Sequence, residues 1–322
     1  MLLKDLLIIA LIALGIAFLI AALLGPVLIP FLHKLKFGQE IREEGPSWHQ
    51  KKSGTPTMGG ILFIVASCIA ALICLRDVKM VCVLVCSLCF GVIGFIDDFI
   101  KVILKRNLGL KSLQKLILQI LVSVAFVVFL KQSGYIGDRW VLPFTDWTLP
   151  LGIFFIPISV FVIVGFNNAV NLTDGLDGLA ASVTAVVCLF IAVASYLKQE
   201  YALCVLSVAI FGGLLGFLLY NHHPAKVFMG DTGSLFLGGF VSAAAVLLEM
   251  PVIFVLAGFI YVAEDLSVVL QVASFKLTGK RIFKMSPIHH HFEMCGMKET
   301  QIVAMFCTVT IVLCAVSVWS IL

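Results

Sequence analysis

Long, uninterrupted apolar runs constrain this chain more than any other feature of its sequence. The 322 residues are 61% hydrophobic and only 12% charged, and the apolar runs are continuous rather than alternating. Inside a bilayer every backbone polar group needs an internal partner, which leaves helices or a closed barrel, and barrel strands alternate apolar with polar residues. The sequence therefore predicts an all-α integral membrane protein, with a single polytopic domain over residues 1–322 and no separate soluble domain.

About ten transmembrane helices are predicted, because each span needs about 20 apolar residues. They cover residues 6–31, 58–75, 80–100, 113–130, 151–167, 179–197, 202–220, 234–250, 252–275 and 301–321. One side of the membrane holds 16 of the 22 Lys and Arg residues, in the loops at 32–57, 97–115, 168–178, 221–233 and 276–300. The positive-inside rule then predicts that these loops are cytoplasmic and that both termini are extracytoplasmic.

Groups that can carry chemistry are sorted to that same face. They are His33, His49, His222, His223, His289, His290, His291, Asp97, Asp98, Asp174, Asp177 and Asp231. A membrane anchor does not require this sorting, whereas an enzyme with a cleft at the cytoplasmic face does. The rival class is an ion-coupled transporter, whose carboxylates normally lie near the middle of the bilayer in broken helices. Here the aspartates cluster at helix ends, which favours an enzyme.

Asp97 and Asp98 end the third predicted span. They can form a base or a phosphate and metal site, or they can simply be a hydrated helix end that pairs with Lys101 at i+4 and i+3. Adjacent helical side chains point about 100° apart, so we expect only one of the two to face a given ligand. Because Lys101 follows it by three residues, Asp98 is predicted to be the base.

The segment Asn167–Gly178 is the polar stretch that is hardest to explain by folding alone. One Thr or Asp would cap the next helix and its glycines would serve turns, but the stretch contains three Asn and two Asp. Asp174 and Asp177 are three residues apart, on one face if a helix has begun there. The pattern favours a functional site that includes Asn171, Asp174 and Asp177.

The residues before the eighth span indicate an anion site. Gly230, Thr232, Gly233 and Ser234 offer backbone N–H groups and hydroxyls at a helix N-terminus. Asp231 would repel a phosphate there unless a cation lay between them, which suggests Mg²⁺ bridging to a diphosphate. The alternative is that Asp231 only caps the helix.

Two further segments carry polar groups toward the same face. The run 54–60 follows Lys51 and Lys52 and offers hydroxyls and cations near the membrane surface, although a helix-entry turn explains it nearly as well. The run His289–His291 cannot ligate one metal from a regular helix, since consecutive side chains diverge and lack the usual ligand spacing. Hydrogen bonds to phosphate or sugar are the more natural role for these histidines.

Together these segments resemble the bacterial phospho-N-acetylmuramoyl-pentapeptide transferases, within the superfamily of polyprenyl-phosphate N-acetylhexosamine-1-phosphate transferases. The resemblance extends over essentially the whole chain. It rests on GTPTMGG (54–60), DDFIK (97–101), NAVNLTDGLDGLA (168–180), FMGDTGSL (228–235) and PIHHHFE (287–293). The aspartate pair and the NLTDGLDG segment are shared by the superfamily, whereas GTPTMGG and the triple histidine point to the muramoyl branch.

The resemblance implies a Mg²⁺-dependent homodimer in the bacterial plasma membrane. Such an enzyme transfers phospho-N-acetylmuramoyl-pentapeptide from its UDP conjugate to undecaprenyl phosphate, giving lipid I and UMP, with no nucleic acid partner. An alternative within the superfamily is transfer of N-acetylglucosamine-1-phosphate. A one-step attack and an aspartyl-phosphate route both remain open at this point.

The resemblance also carries roles over to individual residues. The catalytic residues implied are Asp97, Asp98 and Asp231, with Asp231, and in second place Asp174, as Mg²⁺ ligands. The substrate-binding residues implied are Lys52, Thr57, Lys101, Lys115, Asn171, Asp174, Asp177, Asn221, Phe228, Gly230, Ser234, Gln271, His289, His290 and His291.

Overall fold

A computed structural model describes residues 3–34, 54–104 and 109–322, and those residues are mostly helical. The helices in these ranges are α1 (Leu3–Lys34), α2 (Ile61–Cys74), α3 (Val78–Ile103), α4 (Ser112–Gln132), α5 (Phe155–Thr173), α6 (Leu179–Leu197), α7 (Tyr201–Asn221), α8 (Gly230–Leu247), α9 (Pro251–Ala257), α10 (Phe259–Thr278), α11 (Ile288–Met294) and α12 (Glu299–Trp319). A single 3₁₀ turn at Gly152–Phe154 precedes α5.

The long helices confirm a multi-pass membrane protein. Within the described residues, eight helices are long and apolar enough to cross a bilayer: α1, α3, α4, α5, α6, α7, α8 and α12. The pair α9 and α10 passes the same test together, but it is bent by 86° at Gly258. Helix α2 has only 14 residues, about 21 Å at 1.5 Å per residue, which is less than the roughly 30 Å of the hydrocarbon core. All ten predicted apolar segments are helical, but two of them are not continuous spans.

The predicted span at 58–75 is shorter than expected because its first residues pair with another segment. Met58 has a positive φ of 69°, and the N–H groups of Gly59 and Gly60 donate to the carbonyls of Phe228 and Met229. The N–H of Phe228 donates in turn to the carbonyl of Pro56 at 2.9 Å. Hydropathy alone does not distinguish these residues from the helix that follows.

The predicted span at 252–275 is broken rather than straight. Pro251 begins α9, which ends after seven residues, and α10 starts immediately after Gly258. A side chain at Gly258 would approach the carbonyl oxygen of Phe254 and the ring of Tyr261 at 3.0 Å. Gly258 therefore places a residue without a Cβ at a crowded position in the bend.

A short hairpin interrupts the otherwise helical architecture. Strands β1 (Arg139–Val141) and β2 (Thr148–Pro150) pair antiparallel, with Trp140 opposite Leu149. Trp140 is only 5% exposed and packs edge-on against Phe155, with ring centroids 6.4 Å apart. The all-α prediction missed this hairpin.

Helix α8 lies at the centre of the bundle and determines where the site forms. Of its 18 residues, 89% are buried, and it packs between α3 and α5. A Cβ on Gly94 of α3 would clash with the backbone carbonyl of Asp231, and one on Gly60 would clash with the backbone of Gly233. These close glycine contacts bring the end of α3, the segment 54–60 and the beginning of α8 together.

Candidate active site

Three carboxylates converge at the beginning of α8. Asp97 and Asp98 come from the last turns of α3 and are 3% and 2% exposed, and Asp231 comes from the first turn of α8. Each offers an oxygen that lies within 4.8 Å of an oxygen of the other two. Although adjacent side chains on a helix diverge, both aspartates of α3 thus reach one cluster.

Two lysines partly neutralise this cluster. Lys101 Nζ lies 2.6 Å from Asp97 Oδ2 and 3.1 Å from Asp231 Oδ2, and Lys115 Nζ lies 3.0 Å from the same oxygen of Asp231. The pair of Lys101 with Asp97 confirms the predicted i,i+4 contact. Three carboxylates against two ammonium groups leave a formal charge of about −1, which favours an added cation.

The N-terminus of α8 is already capped, and the cap is Asp98. Its Oδ1 accepts from the N–H of Asp231 at 3.2 Å, and its Oδ2 accepts from the N–H and the hydroxyl of Thr232 at 2.9 and 2.8 Å. The expectation of an open anion site at this helix end is therefore wrong, because the carboxylate of Asp98 occupies it. The alternative reading of Asp231 as the cap is also wrong, since Asp98 binds those donors.

Asn171 on α5 fixes the orientation of Asp231. Its Nδ2 donates to Asp231 Oδ1 at 2.9 Å and to the hydroxyl of Ser234 at 2.7 Å, and that hydroxyl donates to the carbonyl of Gly230. Gly230 has a φ of 70°, and a Cβ there would come within 2.5 Å of both Asp98 Oδ2 and the hydroxyl of the buried Thr57. Only glycine fits this position.

Asp174 lies in the loop after α5 and borders the cluster without joining it. It is half-buried and is not one of the three residues whose oxygens converge. Burial, followed by the negative charges of Asp231, Asp98 and Asp177, raises the pKa of Asp174 well above its usual value. A cation beside Asp231 would relieve this repulsion.

Asp177 belongs to a second cluster, near the first. Its buried Oδ2 accepts from the N–H of Ala225 and lies 3.0 Å from His223 Nδ1, and Glu299 Oε2 is 3.8 Å from that same nitrogen. The cluster borders a cavity of about 340 Å³ between the loop before α8 and the turn before α12.

Two of the predicted binding residues use their amide side chains to hold loops. Asn221 accepts from the N–H of Gly178 and donates to the carbonyl of Val227. Gln271 accepts from the N–H groups of Ile282 and Phe283 and donates to the carbonyl of Phe283. Both amides shape the site through the backbone. Phe228 follows Val227 in the loop that Asn221 holds, and its side chain is half-buried.

The three consecutive histidines have separate partners, but the predicted divergence is wrong for His289 and His290, whose ring centroids lie only 4.1 Å apart. His289 Nδ1 lies 2.9 Å from Glu264 Oε1, and His290 Nδ1 lies 2.7 Å from Glu293 Oε2. His291 Nδ1 accepts from the N–H of Lys284 at 3.2 Å. Each ring therefore has its own partner on a different element.

One residue of the site was not singled out from the sequence, and one predicted residue lies outside the described ranges. The carboxylate of Glu264 belongs to the histidine network above. Glu264 had a visible signal, because an acid inside a predicted span is rare unless it has a role. Lys52 falls outside the residues that the structure describes.

The donor set fits Mg²⁺. Mg²⁺ prefers hard oxygen ligands and is usually held by one or two carboxylates plus substrate phosphates. The three converging carboxylates supply such oxygens, and the residual negative charge of the cluster attracts a divalent cation.

Comparison with known proteins agrees with this bundle and site. The family model for glycosyl transferase family 4 matches residues 80–249, and signature 1 of the phospho-N-acetylmuramoyl-pentapeptide transferases matches residues 52–64. The chain is 51% identical to the phospho-N-acetylmuramoyl-pentapeptide-transferase of Clostridium novyi, over 95% of both chains. It is 52% identical to that of Clostridium perfringens strain 13, over 95% of this chain and 96% of the relative.

These findings define the class first: the chain is a membrane-embedded transferase with an acidic site at one end of its helices. At this identity and coverage, the chain belongs to the family of phospho-N-acetylmuramoyl-pentapeptide transferases, enzymes of peptidoglycan synthesis.

Proposed function

We propose that this enzyme transfers phospho-N-acetylmuramoyl-pentapeptide from its UDP conjugate to undecaprenyl phosphate, giving lipid I and UMP. The observation that carries the proposal is the meeting of three carboxylates, two lysines and Asn171 at the end of the membrane helices. A lipid phosphate and a water-soluble diphosphate can react only at such a boundary.

The reaction brings two anions together, and the lysines offset their repulsion. Lys101 and Lys115 share one oxygen of Asp231, so either ammonium group can turn toward a phosphate while the other keeps that carboxylate paired. Electrostatic stabilisation and positioning of this kind supply most of the rate in phosphate transfer.

The three aspartates have different surroundings, which supports different roles. Asp98 accepts three hydrogen bonds from α8, whereas Asp97 accepts from the N–H of Leu110 and pairs with Lys101. Of the two, Asp97 has the fewer donors, so the geometry favours Asp97 for contact with the acceptor phosphate and Asp98 for positioning. When bound, Mg²⁺ would be held at Asp231 and would neutralise charge on the diphosphate and on the leaving UMP.

The donor is proposed to lie along the loops that surround the cluster. The binding residues proposed are Lys52, Thr57, Asp174, Asp177, Asn221, Phe228, Gly230, Ser234, Gln271 and His289–His291. The one-sided distribution of Lys and Arg supports a cytoplasmic cleft with extracytoplasmic termini, in the bacterial plasma membrane. A homodimer is proposed as well, on the family resemblance alone.

The test is a substrate comparison with purified protein. UMP release is followed with undecaprenyl phosphate and either the UDP-muramoyl-pentapeptide or UDP-N-acetylglucosamine, with Mg²⁺ or with a chelator. We expect turnover only with the muramoyl donor and Mg²⁺. Turnover with UDP-N-acetylglucosamine alone would replace this proposal with the related hexosamine transfer.

A further inference from the structure

A buried carboxylate in α10 has no assigned role, although it touches the histidine segment. Glu264 is 0% exposed and lies in a membrane-associated helix, and its Oε1 is 2.9 Å from His289 Nδ1. The backbone N–H of His289 also reaches Glu264 Oε2 at 3.5 Å, the outer limit of a hydrogen bond. Both oxygens of Glu264 therefore face one residue.

The far side of the same imidazole has no protein partner. His289 is 1% exposed, and its Nε2 is a buried polar atom with no hydrogen bond among the described residues. A buried polar atom without a partner has lost its hydration without compensation, so the unpaired nitrogen needs an explanation. An incoming ligand provides one.

The orphaned nitrogen points at the loop that borders the acidic cluster. A Cβ on Gly175 would clash with His289 Nε2, so the ring edge rests against the backbone of this glycine. The neighbouring Asp174 is close enough to Asp231 and Asp98 to feel their charges. His289 Nε2 thus faces the rim of the site where the diphosphate of the donor is proposed to bind.

The carboxylate on one side of the ring indicates what the other side can bind. Within the described residues, the ion-pair partner of Glu264 is His289, and a buried carboxylate is costly unless it is paired. Glu264 can only accept at Nδ1, so this nitrogen serves as the N–H donor. An anionic oxygen bound on the other side would take a second N–H from Nε2, because a protonated imidazole donates from both nitrogens.

We propose that Glu264 is a positioning residue that holds His289 through Nδ1, so that Nε2 donates a hydrogen bond to a phosphate oxygen of the nucleotide-sugar donor. The proposal rests on the proposed function for the identity of the donor. Glu264 itself does not touch the substrate, and its effect passes entirely through His289.

The test is a double-mutant cycle with Glu264→Gln, His289→Gln and the double variant. Gln keeps one acceptor oxygen for Nδ1 but loses the charge. In the wild-type background, we expect Glu264→Gln to lower kcat/KM for the donor by about tenfold or more and to leave the KM for undecaprenyl phosphate within about twofold. In the His289→Gln background, the same change should have almost no effect.

A second arm moves the imidazole without touching Glu264. Gly175→Ala should displace the ring edge, reproduce the donor-specific loss, and add little in the His289→Gln background. This arm keeps the proposal testable if Glu264→Gln does not fold. The matched control is Glu200→Gln, which removes a carboxylate paired with Lys79 beyond the opposite ends of the helices and should leave activity unchanged.

Two results would overturn the positioning role. One is near-wild-type donor kinetics for Glu264→Gln, and the other is an equal loss in both backgrounds, which would make Glu264 a residue of the fold alone. Absence of UMP release by the wild type would instead contradict the proposed function. In that case, the dissociation constant for UDP, measured by calorimetry, replaces kcat/KM in the double-mutant cycle. Glu264→Gln should then weaken UDP binding in the wild-type background and have almost no effect in the His289→Gln background.

Discussion

Asp231 is the residue on which the two lysines and Asn171 converge. One of its oxygens accepts both ammonium groups and the other accepts the amide of Asn171. Removing this carboxylate would leave the two ammonium groups without the oxygen that they share. The consequences should therefore appear in cation binding as well as in turnover.

We expect Asp231→Asn to abolish UMP release and to remove stabilisation by Mg²⁺. A ligand present at 100 times its Kd stabilises the folded state by about 2.7 kcal/mol, so the wild type should melt at a higher temperature when Mg²⁺ is added. Asp231→Asn should lose that shift, as measured by thermal unfolding in detergent. Normal turnover with an unchanged Mg²⁺ requirement would contradict this assignment.

Asp97 and Asp98 should separate into a reactive and a structural carboxylate. Asp98→Ala removes the cap of α8 and should cost about 0.5–2 kcal/mol of stability. Asp97→Asn should instead melt nearly as the wild type does but lose turnover by about a hundredfold or more. A phosphate monoester has a second pKa near 6. Partial recovery of Asp97→Asn at higher pH would therefore indicate a base, and no recovery would indicate an aspartyl-phosphate nucleophile. An active Asp97→Asn would exclude both roles.

Asp174 should destabilise the metal-free protein at neutral pH. Its pKa is raised in the folded state, so as pH rises through the ordinary value near 3.9 the unfolded chain loses its proton first and stability falls. Asp174→Asn should therefore raise the melting temperature at pH 7 in the presence of a chelator. The gain should disappear as the pH falls below about 4, where Asp174 becomes protonated in the unfolded as well as in the folded chain.

The same substitution should reduce transferase activity, because this loop borders the donor site. Asp146→Asn, at an exposed residue, serves as the control and should not change the melting temperature. A lower melting temperature for Asp174→Asn at pH 7 would contradict the inferred repulsion.

At the scale of single residues, the sequence predicted which types of group carry chemistry but not how they are bonded. Polar residues at the ends of the apolar runs come together in the structure, among them Asp231, Asn171, Lys101 and Lys115. The prediction of Asp98 as the base stays untested, although its three donors argue against it. Capping of one helix by a residue of another depends on packing, which a local pattern does not contain.

The packing of α3 against α8 determines the geometry of the acidic cluster. Gly94 lies one turn before Asp98, and any side chain there would meet the carbonyl oxygen of Asp231. We expect Gly94→Ala to separate the helices and to cost about 1–3 kcal/mol of stability. Turnover should fall by more than the loss of folded protein explains. Unfolding and UMP release measured on the same preparation test this.

Gly165→Ala is the matched control for that substitution. Gly165 lies within α5 and has no heavy atom within 4 Å of a Cβ built on it. Its replacement should be neutral or slightly stabilising, because alanine loses less backbone entropy than glycine in a helix. Equal effects of the two substitutions would show that the close approach at Gly94 is unimportant.

At the scale of elements, the sequence predicted where apolar helices occur and missed their interruptions. Residues 58–60 are apolar or small, so they resemble helix, yet they pair with the segment at 228–229. The bend at Gly258 is likewise invisible to mean hydropathy, which depends on composition and not on direction. The three-residue strands are too short to show alternation.

At the scale of the whole molecule, segments far apart in the chain meet at one end of the bundle. The contacts described above join five parts of the chain: the segment 54–60, the end of α3, the loop 174–178, the loop before α8 and the histidine helix α11. The one-sided distribution of His, Asp, Lys and Arg in the sequence predicted this gathering. The distribution of charged residues could predict this gathering because membrane insertion places each loop on one side of the bilayer, however the helices pack.

The side on which the site opens can be tested with a native probe. Cys295, in the turn after α11, is exposed, whereas the other nine cysteines are buried or half-buried. An impermeant maleimide should leave Cys295 unlabelled in intact cells and label it after permeabilisation. Asp138→Cys, at the hairpin, should be labelled in intact cells, because the surplus of Lys and Arg orients that loop outward. With Cys295→Ser as the background control, the opposite labelling pattern would overturn both the orientation and the cytoplasmic site.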